Sequence, residues 1–426
     1  MDTSEFVEFA KATIDYVADY TNTVRSRNVL PDVEPGYLSK LLPKEAPQKS
    51  EKWQEVLKDV EKYIMPGVTH WTSPYFHAYF PSGNSFPSLV ADIVSSAIGC
   101  IAQSNSSVEK AGILGSMLMR LLPVDDKCSL RGETLKKAMQ EDMEKGLIPC
   151  YVVATLGTTS TCAFDNMDEI GLICKEYDMW LHIDAAYAGA AFICPEFRYL
   201  MSGIQYVDSF NVNVHKWMLV NFDASVMWVK DSRRLEETFS VNRIYLSHDK
   251  EGLLPDYRHW QVPLGRRFRS LKLWFVMRIY GVQGLQEYIR NNIKLAHCFE
   301  TYIRSDDRFE ITTEVILGLV CFRIKGDNSL TKELLDRLQA KKKVFLVAGT
   351  YHDKLIARFV ICSRLCREED IAISWNEIRS ITTEILQTKP ILNKESIKNG
   401  IKSTDDIATR IESLNLESKK NMQKIS

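Results

Sequence analysis

The chain has 426 residues, 45% of them hydrophobic and 26% charged, enough for a large core divided into two or three lobes. A formal net charge of −1 leaves no electrostatic footprint for nucleic acid or an anionic membrane. Ten cysteines without a C-x-x-C pair or a regular framework, with no signal-like start and no apolar run long enough to span a bilayer, predict reduced thiols in the cytoplasm.

Residues 4–20 carry Phe6, Phe9, Ala10, Thr13, Val17 and Tyr20 at helical spacing, which predicts an amphipathic helix that must pack on something. The Pro-containing stretch 30–47 reads as a loop-rich connector, and 53–64 reads as helix again. From about 121 to 230, short apolar runs alternate with helical stretches, the signature of a parallel α/β sheet. Its clearest strands are 151–156, 179–184 and 225–229. Sites in such sheets lie at the carboxyl ends of strands, where Gly157, Thr158, Thr159 and Asp184 fall. After Pro263 long helices are expected, then strands at 314–324 and 358–363 in a smaller C-terminal domain. Beyond Leu392 the chain is rich in Lys, Ser and Asn, and is expected to be mobile or loosely helical.

Two stretches carry the chemistry. Trp180-Leu181-His182-Ile183-Asp184-Ala185-Ala186-Tyr187 ends an apolar strand on a carboxylate, and Asn213-Val214-His215-Lys216-Trp217 brings one lysine to the same place. A buried carboxylate is costly unless a cation meets it, and a protonated pyridine nitrogen is such a cation. A lysine among apolar neighbours is expected to be desolvated, which makes its amine a usable nucleophile. The pair fits a pyridoxal phosphate site, with Lys216 as the Schiff-base lysine and Asp184 on the ring nitrogen. For an isolated Asp and Lys, an ordinary structural ion pair is the alternative.

Further blocks extend the pattern: His77-Ala78-Tyr79-Phe80-Pro81, Ser106-Ser107-Val108-Glu109-Lys110-Ala111-Gly112, Ala154-Thr155-Leu156-Gly157-Thr158-Thr159, and Tyr257-Arg258-His259-Trp260-Gln261-Val262-Pro263-Leu264-Gly265-Arg266-Arg267-Phe268-Arg269-Ser270-Leu271-Lys272. Together they resemble the group II, pyridoxal phosphate-dependent aromatic amino acid decarboxylase family from about residue 1 to 387. The resemblance implies an α/β chain of the fold-type I, PLP-dependent transferase-like class. Its parts would be a helical dimerisation arm (1–85), a PLP-binding large domain with a parallel sheet (86–275), a small α+β C-terminal domain (276–390) and a polar tail (391–426). It also implies a cytoplasmic homodimer that takes pyridoxal 5'-phosphate as cofactor and an aromatic amino acid as substrate, with no metal, nucleic acid or membrane.

By the same resemblance, His215 contacts the cofactor phosphate, Asn213 supports Asp184 or the ring, Ala186 lies flat against one ring face, and Thr159 sits near the ring hydroxyl. Read without it, Thr159 and Asn213 serve equally well as turn caps. Tyr79, Phe80, Pro81 and Ser82 match the family's substrate pocket, although aromatics at such spacing are ordinarily core. Residues 239–254 read as a mobile surface loop. Within it Tyr245 matches the loop tyrosine that closes over the neighbouring site and returns a proton to the substrate carbon; packing locally is its alternative.

The chain departs from the family twice. Asn105 stands where amine-forming members have a histidine stacked on the cofactor ring, and an amide does not shuttle a proton near neutral pH. Asparagine there resembles the insect 3,4-dihydroxyphenylacetaldehyde synthase branch, which decarboxylates L-dopa and then uses oxygen to give an aldehyde, ammonia and hydrogen peroxide. Near residues 101–103, roughly 90 residues of the family pattern are missing, and the flanking blocks resume in register, as a skipped exon would leave them. The missing piece would hold the helix start that binds the cofactor phosphate and two strands of the sheet. The leading expectation is therefore oxidative decarboxylation of L-dopa with weakened phosphate anchoring. A simple amine-forming decarboxylase acting on dopa, tyrosine, 5-hydroxytryptophan or histidine is the second reading, and a silent splice product or dimerisation partner is the third.

Overall fold

The structure, a computed structural model, describes residues 1–78, 85–99, 107–240 and 255–398. Its first sheet contains β1 (Tyr151–Thr155), β2 (Trp180–Asp184), β3 (Ser209–Val212) and β4 (Val226–Val229), side by side in that order. β1, β2 and β3 run parallel, and β4 returns antiparallel on β3. The helix Met167–Glu176 makes the crossover from β1 to β2 that parallel neighbours require.

Strand alternation gives this sheet two unlike faces. Val152, Ala154, Leu181, Ile183, Phe210 and Val212 are buried in a core that also holds Leu135 and Met139 of the helix Gly132–Glu144 and Met167, Ile170 and Cys174 of the crossover helix. On the opposite face Tyr151 is exposed, while Val153, Thr155, Trp180, His182 and Asp184 are only half buried. Parallel sheets are ordinarily covered on both sides, so the second face is open for its class. One polar group pins the end of β1: the half-buried carboxylate of Asp165 accepts from the Leu130 N–H at 2.6 Å and the Thr155 N–H at 2.7 Å. Burial nevertheless outweighs those bonds and pushes the Asp165 carboxyl above its ordinary pKa.

The second sheet contains β5 (Phe309–Ile311), β6 (Leu319–Ile324), β7 (Val347–Tyr351) and β8 (Lys354–Val360), in the order β5-β6-β8-β7 with every pair antiparallel. The helices Arg269–Arg304, Asn328–Lys341 and Glu368–Lys398 contribute Phe299, Leu334 and Trp375 to its core. Within that core Phe299 stacks on Phe359 with ring centroids 3.8 Å apart. The N-terminal helix spans Thr3–Thr23, and Asp2 and Glu5 form a reciprocal capping box at its start.

The strands expected at 151–156, 179–184 and 225–229 are present. The strand expected at 314–324 is shorter, Leu319–Ile324, because Gly318 turns its N–H to the Tyr187 hydroxyl of the first sheet's loops. The strand expected at 358–363 begins earlier, at Lys354, where β7 and β8 meet in a hairpin through His352 and Asp353. β3, β5 and β7 were not anticipated. The connector after residue 30 includes a helical turn, Tyr37–Leu41, and the helix Glu368–Lys398 carries the first part of the polar tail. The nine cysteines among the described residues are free thiols, and no described helix is long and apolar enough to cross a membrane.

Candidate active site

The carboxyl ends of three strands lie abreast, since Thr155 pairs with Asp184 and Asp184 with Asn211. Beyond β1 the chain stays attached to β2 through the Leu156 N–H to the Asp184 carbonyl, 3.0 Å. It then turns at Gly157, whose φ of +79° and whose close approach to Ala188 both demand glycine: a Cβ there would lie 2.5 Å from the Ala188 Cβ. In the following turn the Thr158 hydroxyl oxygen accepts from the Ala163 N–H at 3.0 Å. Thr159 stands exposed at the tip. The turn cap is therefore made by Thr158, not by the exposed Thr159.

Asp184 is half buried, and its Oδ1 accepts from the Ala186 N–H at 2.9 Å. The Ala186 carbonyl in turn accepts from the Asn213 N–H at 3.1 Å, so Asp184, Ala186 and Asn213 form one backbone-linked unit. Asn213 makes no side-chain cap on the short helix Val214–Trp217. Its Oδ1 instead accepts from Ser225 Oγ at 2.8 Å and Asn211 Nδ2 at 3.3 Å. Asn213 is thus held by the sheet and reaches Asp184 only through Ala186.

Lys216 corrects one expectation. It is exposed and not buried among apolar groups, because in Val214–Trp217 the side chains of Val214 and Trp217 turn inward and the lysine turns out, beyond the strand ends. The structural ion pair is absent as well: among the described residues neither Asp184 nor Lys216 joins an ion pair. Among the described residues the carboxylate has no cation and the amine no anion, the donor set that a pyridinium nitrogen and a carbonyl carbon would complete, so these residues fit the expected cofactor. His215 Nδ1 lies 2.7 Å from the Ala224 carbonyl and 3.1 Å from the Ala224 N–H. Either contact leaves Nε2 for another partner; with Nδ1 accepting, Nε2 carries the hydrogen and can donate to an anion.

Tyr79, Phe80, Pro81, Ser82, Asn105 and Tyr245 lie outside the described residues.

Two further groups emerge from the tertiary structure. Behind Lys216, Trp217 stacks on Tyr187 at 4.8 Å and its Nε1–H donates to the buried Asn292 at 2.9 Å. The Tyr187 hydroxyl accepts from the Gly318 N–H at 3.1 Å, and burial holds the phenol well above its ordinary pKa. Arg358 of β8 reaches the same region. Its Nε–H donates to the Ser160 carbonyl at 3.3 Å, beside Thr159, while among the described residues no carboxylate pairs with its guanidinium. Burial lowers the pKa of Arg358 from its ordinary value. The signal was available, since Leu355-Ile356-Ala357-Arg358-Phe359-Val360 sets one cation in an apolar run, as around Lys216.

The family described as Pyridoxal-dependent decarboxylase conserved domain matches residues 35–103 and 100–325. The aromatic-L-amino-acid decarboxylase of Manduca sexta is 44% identical over 96% of this chain and 98% of its own length. Among solved structures, Oryza sativa TDC with PLP and tryptamine superposes with a TM-score of 0.65 at 30% identity, covering 90% of this chain and 99% of that one. Rhodiola rosea 4-hydroxyphenylacetaldehyde synthase has a TM-score of 0.62 at 30% identity over the same shares. With its strand ends, carboxylate and lysine arranged as described, the chain belongs to the pyridoxal-dependent decarboxylase family, whose cofactor is pyridoxal phosphate.

Proposed function

We propose that the chain is an aromatic L-amino acid carboxy-lyase acting on L-dopa, with loss of carbon dioxide coupled to oxidative deamination. L-Dopa, oxygen and water would give 3,4-dihydroxyphenylacetaldehyde, carbon dioxide, ammonia and hydrogen peroxide. The observation that carries the carboxy-lyase part is the 44% identity to the Manduca sexta enzyme over nearly the whole chain. The aldehyde part rests on Asn105, and the likeness to a structure named as an aldehyde synthase is compatible with it. The printed name of the Manduca relative favours the alternative, a simple amine-forming decarboxylase.

Pyridoxal phosphate supplies, when bound, an electron sink for the pair released as the carboxylate leaves. The chain supplies the rest. Asp184 keeps a proton on the ring nitrogen, Lys216 anchors the cofactor covalently, Ala186 leaves room for the ring face, Thr159 meets the ring hydroxyl, and His215 donates to the phosphate from Nε2. Asn213 holds Ala186, and through it Asp184, in register. Arg358 offers an uncompensated fork to the substrate carboxylate. Tyr79, Phe80, Pro81 and Ser82 surround the aromatic ring, and Tyr245 of the partner subunit closes the site. An amide at Asn105 neither stacks on the ring as an imidazole would nor shuttles a proton, which would slow proton return by Tyr245 and leave the substrate carbon open to oxygen.

Residues 1–85 form the dimerisation arm of a homodimer, 86–275 the cofactor domain, 276–390 the small domain and 391–426 the tail. Phe6 and Ile14 on the first helix, and Val90, Ile93, Val94 and Ile98 on Phe86–Ile98, are exposed apolar groups that a second subunit would cover. The cofactor domain is internally shortened. In support, the two family matches meet at residues 100–103, the Manduca alignment spans 498 positions against 426 residues here, and one face of the sheet is open.

The test is product analysis on purified chain with pyridoxal phosphate and L-dopa, with Lys216→Ala as control. Carbon dioxide, aldehyde and peroxide in equal amounts are expected, all lost in the control. Asn105→His should shift the product toward dopamine at least tenfold. Dopamine without peroxide from the parent chain would sink the aldehyde reading, and no carbon dioxide from a chain that retains cofactor would sink both.

A further inference from the structure

The stretch from Tyr257 to Gln286 carries six basic side chains, Arg258, Arg266, Arg267, Arg269, Lys272 and Arg278, and no Asp or Glu. The fold compensates them unevenly. Asp256 pairs with Arg258, and Glu51 and Asp59 take Arg278. Arg267 and Arg269 share the single carboxylate of Asp223, at 3.6 and 2.8 Å. Lys272 donates to the backbone carbonyl of Asn221 at 2.8 Å, and Arg266 lies over the face of Tyr257, 4.8 Å away.

Among the described residues three cations, Arg267, Arg269 and Lys272, therefore share one carboxylate, and the crowding is felt: burial, with repulsion from Arg267 and Arg269, lowers the pKa of the Lys272 ammonium despite Asp223. Like charges gathered at a half-buried place destabilise one another, and a bound anion reverses the sign of that energy. Donors remain for it. An ammonium has three hydrogens, of which Lys272 commits one among the described residues, and Arg267 is 66% exposed with a loose contact to Asp223.

The loop that these cations grip is also the loop that holds the candidate site. Phe222 and His215 pack with their rings nearly perpendicular and centroids 4.9 Å apart, Ala224 holds His215 Nδ1, and Ser225 donates to Asn213. We propose that Arg267, Arg269 and Lys272, set around residues 221–224, form a binding site for a phosphate-class oxyanion. Arginine forks and a lysine point charge around one loop suit a tetrahedral, multiply charged oxyanion better than a carboxylate or halide. Two sources share this chemistry: a free phosphate-like anion, and the cofactor's own phosphate, displaced toward these cations.

Calorimetric titration of the full chain with inorganic phosphate, at ionic strength held constant with chloride, reads the site directly. Saturable one-to-one binding is expected, weakened at least tenfold in both Lys272→Gln and Arg267→Gln, with far-UV circular dichroism unchanged. Should Lys272→Gln fail to fold, the exposed Arg267→Gln decides alone. No saturable heat beyond the chloride control, or parental affinity in the folded variants, overturns the proposal. Competition identifies the source: displacement by pyridoxal phosphate but not by pyridoxal assigns the site to the cofactor phosphate, and simultaneous binding assigns it to a separate anion. Neither readout requires turnover, so failure here is distinct from failure of the carboxy-lyase reading.

Discussion

Trp217 shows how one residue ties chemistry to packing. It follows Lys216 directly, is fully buried, and places its only polar atom on Asn292, itself 1% exposed. The lysine can point outward because its neighbour is locked inward. Replacing Asn292 with Leu keeps the volume near and leaves the indole N–H without an acceptor, a loss of about 1–3 kcal/mol. Urea unfolding should show that decrease, and an unchanged midpoint would mean that another acceptor substitutes. Glu196 illustrates the opposite, exposed regime. Its pair with Arg290 lowers the Glu196 pKa to about 2, chiefly through that hydrogen bond. Because the folded-state pKa is depressed, the stabilisation is present above the unfolded carboxyl's ordinary pKa and is lost as pH falls toward 2. Solvent screening keeps it under about 1 kcal/mol. Thermal unfolding of the parent and Glu196→Gln should therefore differ slightly at neutral pH and converge in acid; a constant gap would contradict the assignment.

At the scale of elements, β1 is the instructive case. Among the described residues only β2 pairs with it along its length, and its far edge is engaged only at its end, where Asp165 and the Thr155 carbonyl meet. Tyr-Val-Val-Ala-Thr contains no charge and no proline, so it lacks the features that keep an edge from pairing with another chain. Val153→Lys, on the open face, should reduce concentration-dependent light scattering several-fold with little change in unfolding free energy. Unaltered scattering would locate self-association elsewhere. This element was legible because four β-prone residues among five leave few alternatives, whereas β3 was not. Its Ser209 and Asn211 interrupt the apolar run, and Ser209 is buried only because Trp180 Nε1 and His182 Nδ1 both reach its hydroxyl at 2.7 Å. A strand whose polar residues are satisfied by its neighbours carries no local signal of being a strand.

For the whole molecule, the open sheet face and the proposed missing segment make one prediction. Inserting the corresponding segment of the Manduca relative near residues 101–103 should cover that face and supply phosphate donors. Two restored charge-assisted hydrogen bonds correspond to a gain in cofactor affinity of about 10²–10⁴-fold. Absorbance titration with pyridoxal phosphate would measure it, and equal affinities of parent and chimera would show that the shortening does not limit binding. The two lobes already meet without the segment: Gly318 lies so close to Tyr187 that a Cβ would sit 2.9 Å from its hydroxyl, and Arg358 and Cys321 both reach Ser160.

Asp184, Lys216 and the turn after β1 stand out as candidates in the chain alone, because each sets an ionisable or conformationally special residue at the end of an apolar run, a pattern local in sequence. Their relations were not. That Lys216 faces outward, that Thr158 and not Thr159 closes its turn, that Asn213 acts through Ala186, and that Arg358 and Asn292 approach from more than 70 residues away depend on which helix faces are buried and which strands adjoin. Sequence determined the chemistry present, since side-chain identity is local; only tertiary structure decided what each group touches and how much water it keeps, since burial and pairing belong to neighbours distant along the chain.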